Sequence, residues 1–207
     1  MEDKKVTAEI VFVLDKSGSM SGTESDTAGG FNSLIEKQKE EFEKAWVTTW
    51  LFSEKAQLLH NRVPIREIKP MNPRDINIGG NTALYDAVGF AIYRIESIQR
   101  RLREEDRPDF TLFAIMTDGY ENASRHLNNS DIRKLIEKKK KDGWEFLFMA
   151  AGIDAQEEAE KISISNSYQM DDYSAPEAFA ETSRMISSMK ASCLKRPNKK
   201  KGDSKKK

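Results

Sequence analysis

Short apolar runs of strand length alternate along this chain with segments of helical period. Residues 9–14, 110–116 and 144–149 are almost continuously β-branched, aromatic or otherwise apolar, which is typical of strands buried on both faces of a sheet. Between such runs, apolar residues recur every three or four positions, most clearly at Leu84, Val88, Ile92, Ile95 and Leu102. Strands that alternate with helices predict a parallel sheet covered on both faces. The fold class is therefore predicted to be α/β.

Weaker patterns complete the predicted order of elements. Residues 46–52 indicate a strand, and the more polar residues 57–63 indicate its neighbour at the edge of the sheet. Further helices are predicted from Phe31, Leu34, Ile35 and Phe42, from Ile132, Leu135 and Ile136 before Gly143, and at residues 155–162 and 176–189. A weak strand is predicted around Tyr168.

Charge is distributed unevenly along the chain. The 34 basic and 34 acidic residues cancel, so the net charge gives no indication of a nucleic-acid or membrane partner. Residues 195–207, however, hold eight basic residues and one acid, which leaves 26 basic and 33 acidic residues in 1–194. The last segment has no strongly apolar residue to offset its ordering entropy. We therefore predict an acidic domain over residues 1–194 and a disordered basic tail over 195–207.

The composition excludes several classes of site. One cysteine, Cys193, rules out an intramolecular disulfide and a zinc site built from several cysteines. Two histidines, His60 and His126, argue against a His-rich metal centre. No run approaches the roughly 18 apolar residues of a membrane span, and the first ten residues lack the apolar core of a signal peptide. We expect a cytoplasmic protein without a membrane span.

A carboxylate and two hydroxyls follow the first predicted strand, at Asp15, Ser17 and Ser19 in the string DKSGSM. In open α/β sheets, ligands bind beyond the carboxyl ends of the strands, and alternate residues of an extended loop can point the same way. Three hard oxygen donors suit magnesium, manganese or calcium better than zinc or copper. Taken alone, the string also fits a polar turn whose side chains bond backbone amides.

Two further segments carry oxygen ligands toward the same edge of the sheet. Thr82 lies at or beside the N-cap of the long predicted helix, and Asp118 follows the strand at residues 110–116. Each also has an ordinary explanation, since threonine caps helices and Asp-Gly forms turns. In a doubly wound sheet, however, the first strand and the strand at 110–116 are neighbours at the switch point. All five oxygen-bearing side chains are then expected to lie together where these strands end, at a site that we call the mouth.

With these segments, the chain resembles the von Willebrand factor type A domain family, which has a metal-ion-dependent adhesion site. The resemblance rests on DKSGSM at residues 15–20, GGNTALYDAV at residues 79–88 and MTDGYENAS at residues 116–124. It extends to the order of strands and helices from about residue 8 to about residue 189. It implies a Rossmann-like three-layer α/β/α fold, with a mainly parallel central sheet and one antiparallel edge strand.

The resemblance also implies a ligand set. Ser17, Ser19 and Thr82 would bind a divalent ion directly, whereas Asp15 and Asp118 would hold it mainly through coordinated water. Neutral hydroxyls leave the ion's charge less compensated than carboxylates would, so its open position favours a Glu or Asp of a partner protein. A preference for octahedral oxygen ligands and retained water indicates Mg²⁺ or Mn²⁺ in preference to Ca²⁺. The expected function is metal-dependent protein–protein interaction, without catalysis.

Other polar residues near the predicted mouth are candidates for a partner-facing rim: Lys16, Ser21, Glu24, Ser25, Asp26, Tyr85, Glu121 and Asn122. Asp86 is expected to be a first-turn helix acid favoured by the helix dipole, and its closeness to Thr82 leaves a supporting role at the site open. His60 and His126 are expected to be ordinary surface or edge residues.

Two other functions fit parts of the sequence. A magnesium-dependent phosphotransferase of the haloacid-dehalogenase type also has an aspartate after the first strand. Its chemistry needs a second carboxylate as general acid two residues later, where this chain has Ser17. The basic tail could instead tether nucleic acid or acidic lipid, an association that salt would weaken steeply. The tail lacks the aromatic residues that favour single-stranded nucleic acid.

Overall fold

The computed structural model describes residues 5–170 and 174–195 of the chain. Over these ranges the protein forms six strands and five α-helices. The strands are β1 (Ala8–Asp15), β2 (Ala45–Phe52), β3 (Ala56–Pro64), β4 (Phe110–Thr117), β5 (Trp144–Ala151) and β6 (Asn166–Met170). The helices are α1 (Glu24–Glu41), α2 (Leu84–Gln99), α3 (Asn129–Lys141), α4 (Ala155–Lys161) and α5 (Ala175–Lys195).

The six strands form one sheet in the order β3-β2-β1-β4-β5-β6. Neighbouring strands are parallel except β2 and β3, which are antiparallel. The prediction of a mainly parallel sheet with one antiparallel edge strand is confirmed. The edge strand is β3, and most of its side chains are only half-buried, which explains why its sequence is more polar than that of the central strands.

Apolar side chains fill both faces of this sheet. Along β1, Ile10 and Phe12 pack with residues of α1 and α5, whereas Val11 and Val13 pack with residues of α2 and α3. Successive side chains of a strand point to opposite faces, so a strand covered on both sides needs a continuous apolar run. The ring centroids of Phe12 and Phe31 are 5.2 Å apart in an edge-to-face contact. The molecule has the predicted three layers, α/β/α.

Two helix ends differ from the predictions. The long helix α2 ends at Gln99, so Leu102 lies outside the apolar face on which it was expected. The chain tightens there, since the amides of Arg101 and Leu102 bond carbonyls only three residues back. The last helix extends to Lys195, which was predicted to begin the tail. Residues 196–207 of the predicted tail lie outside the described residues.

The neighbouring strands β1 and β4 determine where a ligand can bind. They are parallel and in register from Ala8 and Phe110 onward, so their carboxyl ends meet at one edge of the sheet. The strand that follows β1 in the chain, β2, lies on one side of this pair, and the strand that follows β4, β5, lies on the other. The gap between β1 and β4 is therefore the topological switch point. None of the helices within residues 5–170 and 174–195 is both long and apolar enough to cross a membrane.

Candidate metal site

The first segment of the candidate site is the loop that follows β1. Asp15 is the last residue of the strand, and its Oδ1 accepts a hydrogen bond from the backbone N–H of Ser17 at 2.7 Å. The chain then forms a short 3₁₀ turn over Gly18–Met20. This turn brings the hydroxyl oxygens of Ser17 and Ser19 to 3.2 Å from each other. The two serines therefore point the same way, as their alternation predicts.

The second segment follows β4 and closes on the first. The hydroxyl of Thr117 donates to Asp15 Oδ2 at 2.6 Å, and the hydroxyl of Ser19 donates to Asp118 Oδ1 at 2.7 Å. These contacts join residues that are about 100 positions apart in the sequence. They form because β1 and β4 are adjacent and end at the same edge.

The third segment contains Thr82 and precedes α2. Its loop is bonded to the first segment by Gly79 N–H to Lys16 C=O at 2.9 Å and by Gly18 N–H to Gly80 C=O at 3.0 Å. A Cβ atom built at Gly119 would lie 3.1 Å from Thr82 Oγ1 and 3.9 Å from Ser19 Oγ. The Thr82 hydroxyl thus lies at the same mouth. The N-cap residue of α2 is Ala83, so Thr82 lies beside the N-cap.

Two of the predicted rim residues hold the loops together. Asn122 accepts a hydrogen bond from Thr82 N–H at 2.9 Å through its side-chain oxygen, and its own N–H donates to Thr82 C=O at 3.0 Å. Glu121 accepts from the N–H groups of Tyr85 and Ser124 at 2.8 and 2.7 Å. These contacts fix the position of Thr82 relative to the β4 loop. The Glu121 carboxylate and the Asn122 side-chain oxygen are therefore structural parts of the site.

Asp86 supports the loop that follows β4. It is buried in the first turn of α2, and its carboxylate accepts from the N–H groups of Arg125, His126 and Leu127 at 2.8–3.0 Å. An acid at this position is favoured by the helix dipole, as predicted. The contacts give it a further role, because they anchor the end of the segment that begins at Asp118.

The two aspartates of the site differ in exposure: Asp15 is buried and Asp118 is half-buried. Asp15 is only 1% exposed. Burial raises the pKa of its carboxyl, although the hydrogen bonds from Thr117 and Ser17 oppose the shift. Burial likewise raises the pKa of Asp118, against the hydrogen bond from Ser19. A cation would favour the charged forms of both carboxylates, one buried and one half-buried.

The donors fit a hard divalent cation. They are hydroxyl and carboxylate oxygens, which Mg²⁺ and Mn²⁺ prefer. Adjacent ligands around an octahedral ion with bonds of about 2.1 Å lie about 3 Å apart. The separation of the two serine hydroxyl oxygens, 3.2 Å, agrees with this value. Within the described ranges there is no cluster of three or more His, Cys, Asp or Glu side chains placed for a metal.

The remaining predicted residues lie elsewhere. Glu24, Ser25 and Asp26 form the first turn of α1, and Ser21 is exposed before it. The His60 ring stacks on Phe31 and bonds the Thr49 hydroxyl, whereas His126 lies against Phe90. The histidines are therefore not part of the candidate metal site. Lys16 donates its Nζ to the Asn77 carbonyl at 3.0 Å, at the side of the mouth.

Two residues at the mouth were missed by the sequence reasoning. Thr117 was given no role beyond its place in MTDGYENAS, yet its hydroxyl orients Asp15. Tyr120 is one of three large hydrophobic side chains that are exposed in the described part of the chain, at 56%. It lies two residues after Asp118, on a loop that Glu121 and Asn122 hold in place. The sequence signal for Tyr120 was an aromatic residue within a polar motif, because aromatic residues are enriched at protein interfaces.

The comparisons with known proteins agree with this architecture. The family model of the von Willebrand factor type A domain matches residues 9–182. Among solved structures, a D319A mutant of the PilB minor pilin from Streptococcus sanguinis superposes with a TM-score of 0.68 at 13% identity, over 95% of this chain and 65% of the pilin. The protein BatB from Bacteroides thetaiotaomicron gives 0.55 at 14% identity, over 89% of this chain and 99% of BatB.

A third structure is that of a metal-bound relative. Proximal thread matrix protein 1 from the mussel byssus, with a zinc-occupied MIDAS motif, superposes with a TM-score of 0.59 at 16% identity, over 91% of this chain and 48% of that one. The chain thus spans 65% of the pilin's length and about half of the mussel protein's. At these identities the likeness concerns the fold alone. No curated protein matches the sequence.

Proposed function

Because this chain belongs to the von Willebrand factor type A domain family, we propose that it binds a partner protein through a divalent cation held at the mouth described above. The proposed ligands are Ser17, Ser19, Thr82, Asp15 and Asp118, which correspond to the family's metal-ion-dependent adhesion site. The proposed cation is Mg²⁺ or Mn²⁺. The partner would offer a Glu or Asp side chain, and the interaction would take place in the cytoplasm.

The five side chains have different tasks in this proposal. The hydroxyls of Ser17, Ser19 and Thr82 act as neutral ligands, so they compensate little of the cation's charge. Asp15 and Asp118 supply the negative charge, and their carboxylates contact the cation through coordinated water molecules. Thr117 and the Ser17 amide fix the two oxygens of Asp15 by hydrogen bonds. A cation bound there supplies an electrophilic position that accepts one carboxylate oxygen.

A single observation carries the proposal. Segments that are remote in the sequence meet through the hydrogen bonds of Ser19 with Asp118 and of Thr117 with Asp15. Buried polar groups at a surface mouth are costly unless they have a ligand or a structural role. The zinc-bound MIDAS motif of the mussel protein supports binding of a divalent ion in this fold. The phosphotransferase alternative gains no support, since Ser17 is part of the cluster and no carboxylate takes its place.

Calorimetric titration of the metal-free protein with Mg²⁺, Mn²⁺ and Zn²⁺ tests the ligand assignment. We expect one site in the wild type and a loss of at least about tenfold in affinity in Ser17→Ala and Asp15→Ala. Ser21→Ala is the matched control, because Ser21 is an exposed serine of the same loop outside the cluster. Equal affinity in all four proteins would contradict the assignment.

The partner assignment needs a second experiment. The wild type and Ser17→Ala are immobilised and exposed to cytoplasmic extract, in Mg²⁺ and in EDTA at the same ionic strength. A specific partner should be retained only by the wild type in Mg²⁺, and free glutamate at high concentration should reduce its retention. Retention of the same partner in EDTA would rule out a bridging metal.

A further inference from the structure

A cavity of about 500 Å³ opens directly beside the candidate metal site. Its walls include Lys16, Glu54, Lys55, Gly79 and Gly80. The β2–β3 turn supplies one side of the cavity, and the loop that precedes α2 supplies the other. No residue of the proposed ligand set lines it, so it is a separate surface.

The cavity adjoins two of the three segments that form the metal site. Lys16 lies between the proposed ligands Asp15 and Ser17, and its carbonyl accepts from Gly79 N–H at 2.9 Å. Gly80 precedes Thr82 by two residues, and its carbonyl accepts from Gly18 N–H at 3.0 Å. A peptide whose carboxylate reaches the metal site would therefore extend over this cavity within a few residues, since an extended chain advances about 3.3 Å per residue.

Two glycines contribute backbone to the wall of the cavity. Gly79 and Gly80 have φ angles of 150° and 85°, which L side chains rarely adopt. A Cβ atom at Gly80 would lie 3.3 Å from the Glu54 side chain. Both positions therefore favour glycine. The Glu54 side chain lies over Gly80, whereas a Cβ atom at Gly79 would meet nothing within 4 Å, so a bound chain can approach the backbone of Gly79 closely.

The charge on the walls is predominantly positive and is not neutralised internally. Lys16 donates its ammonium to a neutral carbonyl, that of Asn77, at 3.0 Å. Within the described residues, neither Lys16 nor Lys55 forms an ion pair. The one carboxylate of the wall, Glu54, accepts from the Asn81 side-chain amide at 2.9 Å.

We propose that this cavity is a subsite for a second acidic side chain of the partner, next to the carboxylate that the metal site takes. The inference rests on the proposed function and specifies its partner: a segment with two acidic residues close together in sequence. The two lysines of the lining attract the second carboxylate. The segment is therefore oriented with its second acid over Lys16 and Lys55.

A peptide series tests the subsite. Immobilised Gly/Ser peptides carry one Glu, and each member of the series adds one Asp, one to five residues away on either side. Binding is measured in Mg²⁺ and in EDTA at constant low ionic strength. We expect the second acid to raise the affinity about two- to fivefold at one or two spacings, as exposed ion pairs do, and only in Mg²⁺.

Two charge reversals make the test specific. Lys55 is exposed and makes no side-chain contact that folding would need, so Lys55→Glu should fold normally. It should lose the gain from the second acid and gain instead from a Lys at the same peptide position. Lys141→Glu, the same change at the end of α3 beside the opposite edge of the sheet, should keep the wild-type preference.

The outcomes separate the two hypotheses. If the single-Glu peptide binds in Mg²⁺ but no spacing adds affinity, or if Lys55→Glu keeps the full gain, the subsite is wrong and the metal site stands. If no peptide binds in Mg²⁺, or if binding is equal in EDTA, the proposed function is wrong and the subsite falls with it.

Discussion

Glu9 places a carboxyl group in the middle of the sheet, where its side chain is fully buried. It lies in register with Trp46 on β2 and Thr111 on β4. Arg62 of the edge strand donates its Nε to Glu9 Oε2 at 2.9 Å and lies 4.2 Å above the Trp46 ring. Burial nevertheless outweighs this attraction and raises the pKa of Glu9 to about 7. A buried ion pair can cost more in desolvation than it gains.

This shift predicts a pH dependence of stability. The pKa of Glu9 is higher in the folded protein than in the unfolded chain, so the folded state binds the proton more tightly. The carboxyl group therefore costs no stability below about pH 4.5 and costs progressively more as the pH rises to about 7. The unfolding free energy of the wild type relative to Glu9→Gln should fall by about 2 kcal/mol between pH 5 and pH 8. Urea denaturation at each pH measures it.

The exposed Glu43 provides the control for this titration. Its pKa is lowered by the hydrogen bond and charge of Lys5. Glu43→Gln therefore removes the same charge as Glu9→Gln, but at an exposed position. The difference between the wild type and Glu43→Gln should not fall over this pH range. A flat difference for Glu9→Gln would show that Arg62 keeps Glu9 ionised throughout.

Asp118 distinguishes charge from hydrogen bonding at the metal site. Asp118→Asn keeps an oxygen that can accept from Ser19 but removes a negative charge. After the larger effect of burial, that charge also contributes to the raised pKa of Asp15. We expect Mg²⁺ affinity to fall about 10- to 100-fold, whereas the melting temperature in EDTA should not decrease. Asp26→Asn, an equal loss of charge on α1, should change the affinity less than twofold. Calorimetric titration that gave equal affinities for both variants would contradict a ligand role for Asp118.

At the scale of elements, α1 and α5 pack closely because of one glycine. A Cβ atom at Gly30 would lie 2.6 Å from Phe179 Cδ2 and 3.3 Å from the Ala175 carbonyl oxygen. Phe179 is buried and also contacts Phe12 and Phe31, so it has little room to move. The preceding residue, Gly29, is exposed, and a Cβ there would meet nothing within 4 Å.

These neighbours give a matched pair of substitutions. Gly30→Ala should destabilise the protein by about 1–3 kcal/mol, because it overpacks the helix interface. Gly29→Ala should stabilise it by about 0.5–1 kcal/mol, because alanine favours a helix more than glycine does. Chemical denaturation measures both. A loss of stability in Gly29→Ala as large as in Gly30→Ala would show that the interface is not the cause.

The order of the elements could be predicted from sequence, whereas their contacts could not. Continuous apolar runs identified β1, β4 and β5, since a strand buried on both faces requires them. The polar character of β3 indicated an edge. The partner of Glu9 could not be predicted, because Arg62 reaches it only through the antiparallel pairing of β2 and β3 and a left-handed backbone at Arg62. Leu102 continued the apolar period, but the helix ends three residues earlier.

The residues of the candidate site could likewise be predicted from sequence, whereas their contacts could not. Its five oxygen-bearing residues stood out by spacing and by strand order, and the structure brings them to one mouth; their role as metal ligands remains a prediction. The contacts of the supporting residues could not be predicted, although a supporting role for Asp86 was left open. Asp86 was interpreted as a dipole acid, yet it bonds three amides of the β4 loop. Lys55 comes from a turn with no motif, and only the fold brings it beside the mouth.

For the whole molecule, the metal should couple to folding. The proposed ligands belong to three segments that meet only in the folded chain, so the unfolded chain cannot bind the ion in the same way. Mg²⁺ at about 100 times its dissociation constant should add about 2.7 kcal/mol and raise the melting temperature by about 5–10 °C. Thermal melts in Mg²⁺ and EDTA measure this. Ser17→Ala should lose most of the shift and Ser21→Ala should keep it; an equal shift in both would place the ion elsewhere.

The most direct test is crystallographic. Crystals grown in Mn²⁺ and measured at its absorption edge should show one strong anomalous peak about 2.2 Å from the hydroxyl oxygens of Ser17, Ser19 and Thr82, and farther from the carboxylates of Asp15 and Asp118. The absence of such a peak at saturating Mn²⁺, or a peak bound by other residues, would contradict the account.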